Sequence, residues 1–125
     1  MGMYTQFVLD VEIKDIEGIA VVSAAMTDVP RIGGSSYYFA DPGKAYIDID
    51  TGTGRPLYYL HVNCSLKNYD SDVDRFLAAI EPAVGEVSMA QGEAAMVGFT
   101  RYEEDRHPVL IYLGPGGFTQ RRIED

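Results

Sequence analysis

The chain has no tryptophan, a single cysteine and only two histidines among its 125 residues. With Cys64 alone, an intrachain disulfide is excluded, and so few thiols and imidazoles leave no spacing typical of structural zinc. No apolar run approaches the roughly 18 residues that span a bilayer. The first residues also lack a basic stretch followed by an apolar one, so we expect no signal peptide and a cytoplasmic location. We expect no metal and no other cofactor.

Positive charge is scarce as well. Ten Lys and Arg stand against nineteen Asp and Glu, which gives a net charge of −9 and a pI near 4.5. Bare nucleic acid and anionic membranes bind to basic surfaces, so both are unfavourable partners for this chain. An acidic surface keeps a protein soluble, and it can also attract a protein partner with a basic surface through long-range electrostatics.

Alternation of apolar and polar residues predicts the strands. Residues 7–13 alternate in this way, with Val8 as the exception on the polar side, and residues 58–66 alternate most regularly. Cys64 falls on the apolar side of the second pattern, so we predict a buried, unreactive thiol. Further strands are expected at residues 35–41 and 45–50, joined by a "DPGK" turn, and at residues 95–99 and 109–113.

The first predicted helix begins after Asp15, whose side chain can cap it, and extends to about residue 28. Gly18 lowers the stability of such a helix by roughly 1 kcal/mol relative to alanine, and a strand over residues 19–22 is the alternative. The residues expected to share its apolar face are Ile16, Ile19, Ala20, Ser23 and Met26, and Val22 widens that face.

The second predicted helix covers residues 71–83, and we expect Asp70 or Ser71 to cap it. Its apolar stripe predicts that it packs onto the sheet. The order of elements therefore predicts an α+β fold: an antiparallel or mixed sheet of about five to six strands with two helices on one face. We expect one domain over residues 1–113 and a flexible charged tail over residues 114–125. The apolar stripe of the second helix consists of Val73, Phe76, Leu77, Ile80 and Val84, of which the first four are expected to pack onto the sheet.

The segment "RYEEDRH" (residues 101–107) holds most of the reactive side-chain types of the chain. Carboxylates beside a histidine can act as acid and base, and an arginine can hold an anion. Because the segment lies at a predicted hairpin tip, a solvated charged turn is favoured and no catalytic residue is assigned. The alternative is a cleft for a small, nucleotide-like or other anionic ligand, or a hydrolase site, formed by His61, Arg101 and His107.

Tyrosine is unusually frequent, with nine residues and adjacent pairs at positions 37–38 and 58–59. Adjacent residues of a strand face opposite sides, so one tyrosine of each pair points away from the helices. Exposed tyrosines are typical of protein interfaces, although rings that only cover sheet edges are the alternative. The candidate interface residues are Tyr38, Tyr46, Tyr59, Tyr102, Glu103 and Glu104.

Four blocks, "SSYYF", "SLKNYDSDVDRFLAAIEP", "GFTRYEE" and "PVLIYL", occur in this order over residues 35–113. In these blocks the chain resembles a group of small phage and bacterial proteins. The resemblance implies a phage- or prophage-encoded accessory protein that inhibits or modulates a bacterial host system by binding a host protein. It implies no catalytic residue. A structural subunit of a larger assembly is a further alternative, and the sequence leaves a homo-oligomer open.

Overall fold

The computed structural model describes residues 4–29, 32, 45–52, 54–66, 71–84 and 94–123. The described strands form one antiparallel sheet of six, in the order β2-β3-β1-β4-β5-β6. Together with two helices this confirms the predicted α+β fold. The elements in chain order are β1 (Thr5–Ile13), α1 (Ile16–Asp28), β2 (Ala45–Asp50), β3 (Leu57–Leu66), α2 (Asp72–Ile80), β4 (Ala95–Tyr102), β5 (Val109–Gly114) and β6 (Gly117–Arg122).

The first six of these elements follow the order βαββαβ, with β1 between β3 and β4. This is the split βαβ arrangement of ferredoxin-like topology, in which both helices cross the same face of the sheet. Strands β5 and β6 then widen the sheet beyond β4. Within the described part of the chain, β2 and β6 are therefore the two edges.

The core lies between the sheet and the helices. Phe7 and Leu9 of β1 are completely buried, and they pair with Cys64 and Val62 of β3. Cys64 is 5% exposed, which confirms its predicted burial. The ring of Phe7 meets the ring of Phe76 edge to face, with 6.2 Å between their centroids. This packing ties α2 to the centre of the sheet.

Helix α1 begins where the sequence predicts, because the Asp15 carboxylate accepts a hydrogen bond of 2.9 Å from the Gly18 amide. The predicted apolar face is wrong in part. Ile16 is 67% exposed, and Ala20 and Ser23 are exposed as well, whereas Val22 is buried and Ile19 and Met26 pack against the core. A Cβ on Gly18 would lie 2.8 Å from Cγ2 of Ile13 and 3.0 Å from the carbonyl oxygen of Ala83. Glycine allows the helix to approach the end of β1 along this line. The face turned inward is consequently Gly18, Val22 and Ala25.

Helix α2 is shorter than predicted, because residues Glu81–Ala83 continue it as a 3-10 turn that contains Pro82. Ser71 precedes it in a left-handed conformation, with φ of 54°. Its side chain makes no capping hydrogen bond, so the prediction of Ser71 as the cap is wrong, and the alternative cap, Asp70, lies outside the described residues. Asp72 is buried and pairs with Arg75 at 3.1 Å. The predicted packing stripe is confirmed, and its residues Val73, Phe76, Leu77 and Ile80 are all buried.

Strand β4 does not keep the simple alternation that its sequence suggests. The register with β5 shifts between Met96 and Gly98, which marks a bulge. After the bulge, Phe99 pairs with Val8 and lies on the face away from the helices. A Cβ on Gly98 would collide with the carbonyl oxygen of Val8, so glycine permits this close approach of β4 to β1.

The end of the chain differs from the predicted flexible tail. The structure places Gly117–Arg122 in β6, paired with β5 through a tight turn in which Gly117 has φ of 102°. The Phe118 amide donates a 2.9 Å hydrogen bond to the carboxylate of Glu81. The side-chain Nε2 of Gln120 donates a 2.6 Å hydrogen bond to the carboxylate of Asp74. These contacts bind the last strand to the α2 segment.

None of the described helices has the length and hydropathy of a membrane-spanning helix. The predicted strand at residues 35–41 and its turn lie outside the described residues, and so does Tyr38.

Candidate interaction surface

The sheet has a second face, opposite α1 and α2, which we call the outer face. On β1 it is formed by the residues that alternate with the buried ones, namely Gln6, Val8, Asp10 and Glu12. The cross-strand register then assigns the outer-face residues of each neighbouring strand. One row across the sheet contains Tyr46, His61 and Asp10, and the next contains Asp48, Tyr59 and Glu12.

Two carboxylates and two aromatic rings surround His61. Its Nδ1 lies 2.5 Å from the carboxylate of Asp10, and its Nε2 lies 3.8 Å from that of Asp48. The Tyr46 ring is tilted against the imidazole at 5.0 Å between centroids, and the Tyr59 ring is stacked at 6.3 Å. We call these five residues the His61 cluster. Residues from three adjacent strands are therefore brought together at one point of the outer face.

The His61 cluster remains accessible to solvent. The side chains of Asp10 and Asp48 are 65% and 57% exposed, and that of His61 is 30% exposed. Carboxylates beside aromatic faces suit a lysine or arginine side chain, because charge-assisted hydrogen bonds and cation–π attraction then act on one group. The cluster can thus receive a cationic side chain from another molecule.

A histidine held by a carboxylate is also a component of acid–base sites, where it needs a bound substrate within hydrogen-bond reach. His61 lines neither the cleft beside Arg101 nor the cleft beside Arg121, both of which are formed by described residues. His61 is paired with Asp10, and Arg101 is paired with Gln6, four residues along the same strand. That separation is about 13 Å at roughly 3.3 Å per residue. The geometry accordingly favours a contact surface at His61.

Arg101 lines a small cleft of about 190 Å³ together with the carboxylate-bearing Glu103. Sites for drug-sized ligands usually have about 300–1,000 Å³, and a carboxylate beside the arginine opposes an anion. His61 and His107 do not line this cleft, so the three residues of the predicted ligand cleft are not brought together there. The remaining lining residues are Tyr4, Gln6, Ser65 and Tyr102.

The other predicted interface residues lie away from the His61 cluster, at the β4–β5 turn. Tyr102 pairs with Thr5, a buried position of the helix-covered face. The Glu103 amide donates a 3.1 Å hydrogen bond to the carbonyl of Tyr4, and Glu104 is exposed. The structure therefore brings Tyr46 and Tyr59 together and places Tyr102, Glu103 and Glu104 in a separate acidic turn.

The sequence patterns did not predict that the half of the outer face formed by β4, β5 and β6 is largely apolar. Phe99 pairs with Val8 on one side and with Leu110 on the other, and Leu110 pairs with Arg121. A cleft of about 580 Å³ adjoins this half, lined by Leu110, Tyr112, Arg121, Arg122 and Ile123. In the sequence, only Val8 on the polar side of its strand indicated apolar residues on the outer face. The orientation of Phe99 could not be predicted from alternation, because the bulge in β4 changes it.

Among the described residues, no group of three or more His, Cys, Asp or Glu side chains has a geometry suited to a metal ion. Comparisons of this chain with models of protein families, with curated proteins and with solved structures each found no significant match. The His61 cluster and the apolar half of the outer face are consequently the features from which a function can be argued.

Proposed function

We propose that this protein acts by binding another protein, without catalysis, through the His61 cluster. The observation that carries the proposal is the convergence of two tyrosines and two exposed carboxylates around His61 on one sheet face. Tyrosine presents a large, stiff contact area and is enriched among residues that dominate binding energy. The surrounding carboxylates select a partner that offers lysine or arginine.

The charge of the whole chain supports the same class of partner. A net charge of −9 attracts a basic surface over long distances and raises the rate of encounter. The resemblance to small phage and bacterial proteins supports a bacterial host protein as the partner and the cytoplasm as the place of action. In this proposal the chain inhibits or modulates that partner by covering its basic surface.

The proposal is tested by capture from a bacterial lysate with three immobilised proteins. These are the wild type, the cluster variant Tyr46→Ala/Asp48→Asn and the turn variant Glu103→Gln/Glu104→Gln. Both variants change exposed side chains, so both should keep the fold. We expect the wild type and the turn variant to retain the same protein, and the cluster variant to lose it. Truncation of a central tyrosine should weaken binding by about 2 kcal/mol, or roughly 30-fold.

Equal retention by all three proteins would contradict the assignment to the His61 cluster. A different result would revive the ligand hypothesis: no protein is retained, and inorganic phosphate raises the melting temperature in proportion to its concentration. Loss of that effect in Arg101→Gln would then place the anion in the small cleft beside Arg101.

A further inference from the structure

The two nitrogens of the His61 ring face two different carboxylates. Nδ1 lies 2.5 Å from the Asp10 carboxylate, which is a hydrogen-bond distance, whereas Nε2 lies 3.8 Å from that of Asp48. An ionised carboxylate only accepts hydrogen bonds, so the single N–H of a neutral ring lies on Nδ1 and donates to Asp10. Nε2 then carries a lone pair, and the neutral ring donates nothing to Asp48.

Protonation of His61 changes what the cluster offers to another molecule. The imidazolium carries an N–H on both nitrogens, so it can donate to Asp10 and at the same time form an ion pair with Asp48 across 3.8 Å. It also makes the cluster less negative by one charge. Asp48 is then engaged from within the chain.

The other charged or titratable side chains that face His61 come from all three strands of the cluster. Within the described residues, neither the row of His61 nor the next row, which contains Asp48, holds a lysine or arginine on these strands. Among the facing side chains, only His61 can therefore bring a positive charge to the carboxylates. The facing side chains are Asp10 and Glu12 on β1, Tyr46 and Asp48 on β2, and Tyr59 on β3.

We propose that a lysine or arginine side chain of the partner binds between Asp48 and the neutral Nε2 of His61, and that this binding is coupled to the loss of a proton from His61. The inference rests on the proposed function, since it uses the same site, and it adds regulation of that site by pH. A donor nitrogen about 2.8–3.0 Å from each of two acceptors fits between atoms that are 3.8 Å apart. The ring of Tyr46, 5.0 Å from the imidazole, offers the same cation an aromatic face.

The coupling follows from competition for one position. The Nε2 proton of the imidazolium and the cation of the partner would both lie between Nε2 and Asp48, and both are positive. Binding therefore favours the neutral ring, and by linkage the neutral ring favours binding to the same extent. The affinity should rise with pH while the histidine loses its charge and stay constant once the ring is neutral. Acidification within about pH 8 to 5, where histidines change charge, should release the partner.

Binding of tetralysine, acetylated and amidated at its ends so that only side chains are charged, tests the proposal at constant ionic strength. Isothermal titration calorimetry of the full chain at about pH 7.5 and about pH 5.5 measures the affinity. The wild type should bind about fivefold or more weakly at the lower pH. Between these values, two buffers of different ionisation enthalpy should reveal the release of up to about one proton on binding.

The chain has only two histidines, so paired variants can assign the effect. His61→Gln should bind tetralysine with an affinity that does not change between the two pH values. His107→Gln makes the same chemical change outside the His61 cluster and should keep the response of the wild type. Asp48→Asn should weaken binding at the higher pH, because it removes one of the two groups that hold the cation. Thermal melts at both pH values verify that each variant is folded.

Four results would overturn the proposal. They are no binding of tetralysine at either pH, equal affinity of the wild type at both, binding without proton release, and a pH response that persists in His61→Gln. The proton release is measured on the wild type, so the proposal is testable even if a variant does not fold. Lysate capture that retains no protein, together with proton-coupled binding of tetralysine, would contradict the proposed function alone. Capture through the cluster with binding of tetralysine that is independent of pH would contradict only this inference.

Discussion

Gly98 shows how one residue decides which side chains reach the outer face. It lies at the bulge of β4, where a Cβ would collide with the carbonyl oxygen of Val8. The bulge reverses the alternation, so that Phe99 pairs with Val8 on the outer face instead of entering the core. Glycine at position 98 therefore determines that the Phe99 side chain lies on the outer face.

Replacement of Gly98 by alanine should destabilise the protein by about 3 kcal/mol, because backbone atoms of β1 would have to move. Gly116→Ala is the matched control, since nothing lies within 4 Å of a Cβ at that position. Urea unfolding followed by circular dichroism measures both. Equal stability of the two variants would show that β4 does not approach β1 as closely as described.

At the scale of elements, helix α2 and its 3-10 turn hold the molecule together at two places. Phe76 is completely buried and meets Phe7 of the central strand edge to face. The carboxylate of Glu81 accepts the amide of Phe118, and Asp74 accepts the side chain of Gln120. The same segment thus anchors the middle of the sheet and its last strand. These contacts account for an ordered β6 in a stretch whose composition indicates a loose tail.

Phe76→Ala should lower the free energy of unfolding by about 3–5 kcal/mol, because it removes a buried ring and leaves a cavity against Phe7. The exposed Ala78 on the same helix provides the control, and Ala78→Ser should change stability by less than about 0.5 kcal/mol. Thermal or urea denaturation measures both. An unchanged melting temperature for Phe76→Ala would contradict the packing of α2 on β1.

At the scale of the whole molecule, charge and topology act together. The acidic excess of −9 produces a long-range field, while the sheet order sets Asp10, Asp48 and His61 side by side. Long-range charge mainly affects the association rate of a basic partner, and the local contacts mainly affect its dissociation rate. The two contributions can be separated kinetically.

Association with the partner captured by the wild type should slow as salt rises, because screening shortens the range of attraction to about 8–10 Å at 0.1–0.15 M. Charge reversal at Glu103 and Glu104 should mainly lower the association rate. Tyr46→Ala should mainly raise the dissociation rate, by an amount that corresponds to about 2 kcal/mol or more. Surface plasmon resonance with the purified partner measures both rates. An association rate independent of salt would rule out electrostatic steering.

Local patterns in the sequence were sufficient to predict much of the fold. Alternation along residues 7–13 and 58–66 predicts β1 and β3, and the Asp15 cap predicts the start of α1, since these depend on neighbouring residues only. The stripe on α2 predicts its buried residues for the same reason. Tyr46, Tyr59 and His61 were recognised as side chains available at a polar face. Their convergence with Asp10 and Asp48 could not be read from spacing alone.

Tertiary structure decided the features that depend on contacts between distant segments. The position of β1 between β3 and β4 sets Asp10 against His61, fifty-one residues apart, because strand register and not sequence separation determines neighbours in a sheet. The bulge at Gly98 and the pairing of β6 with β5 likewise arise from partners far along the chain. The sequence by itself determined β1, β3, the start of α1 and the buried stripe of α2, because these depend on residues close together in the chain. Only the assembled sheet determined which exposed side chains share a surface.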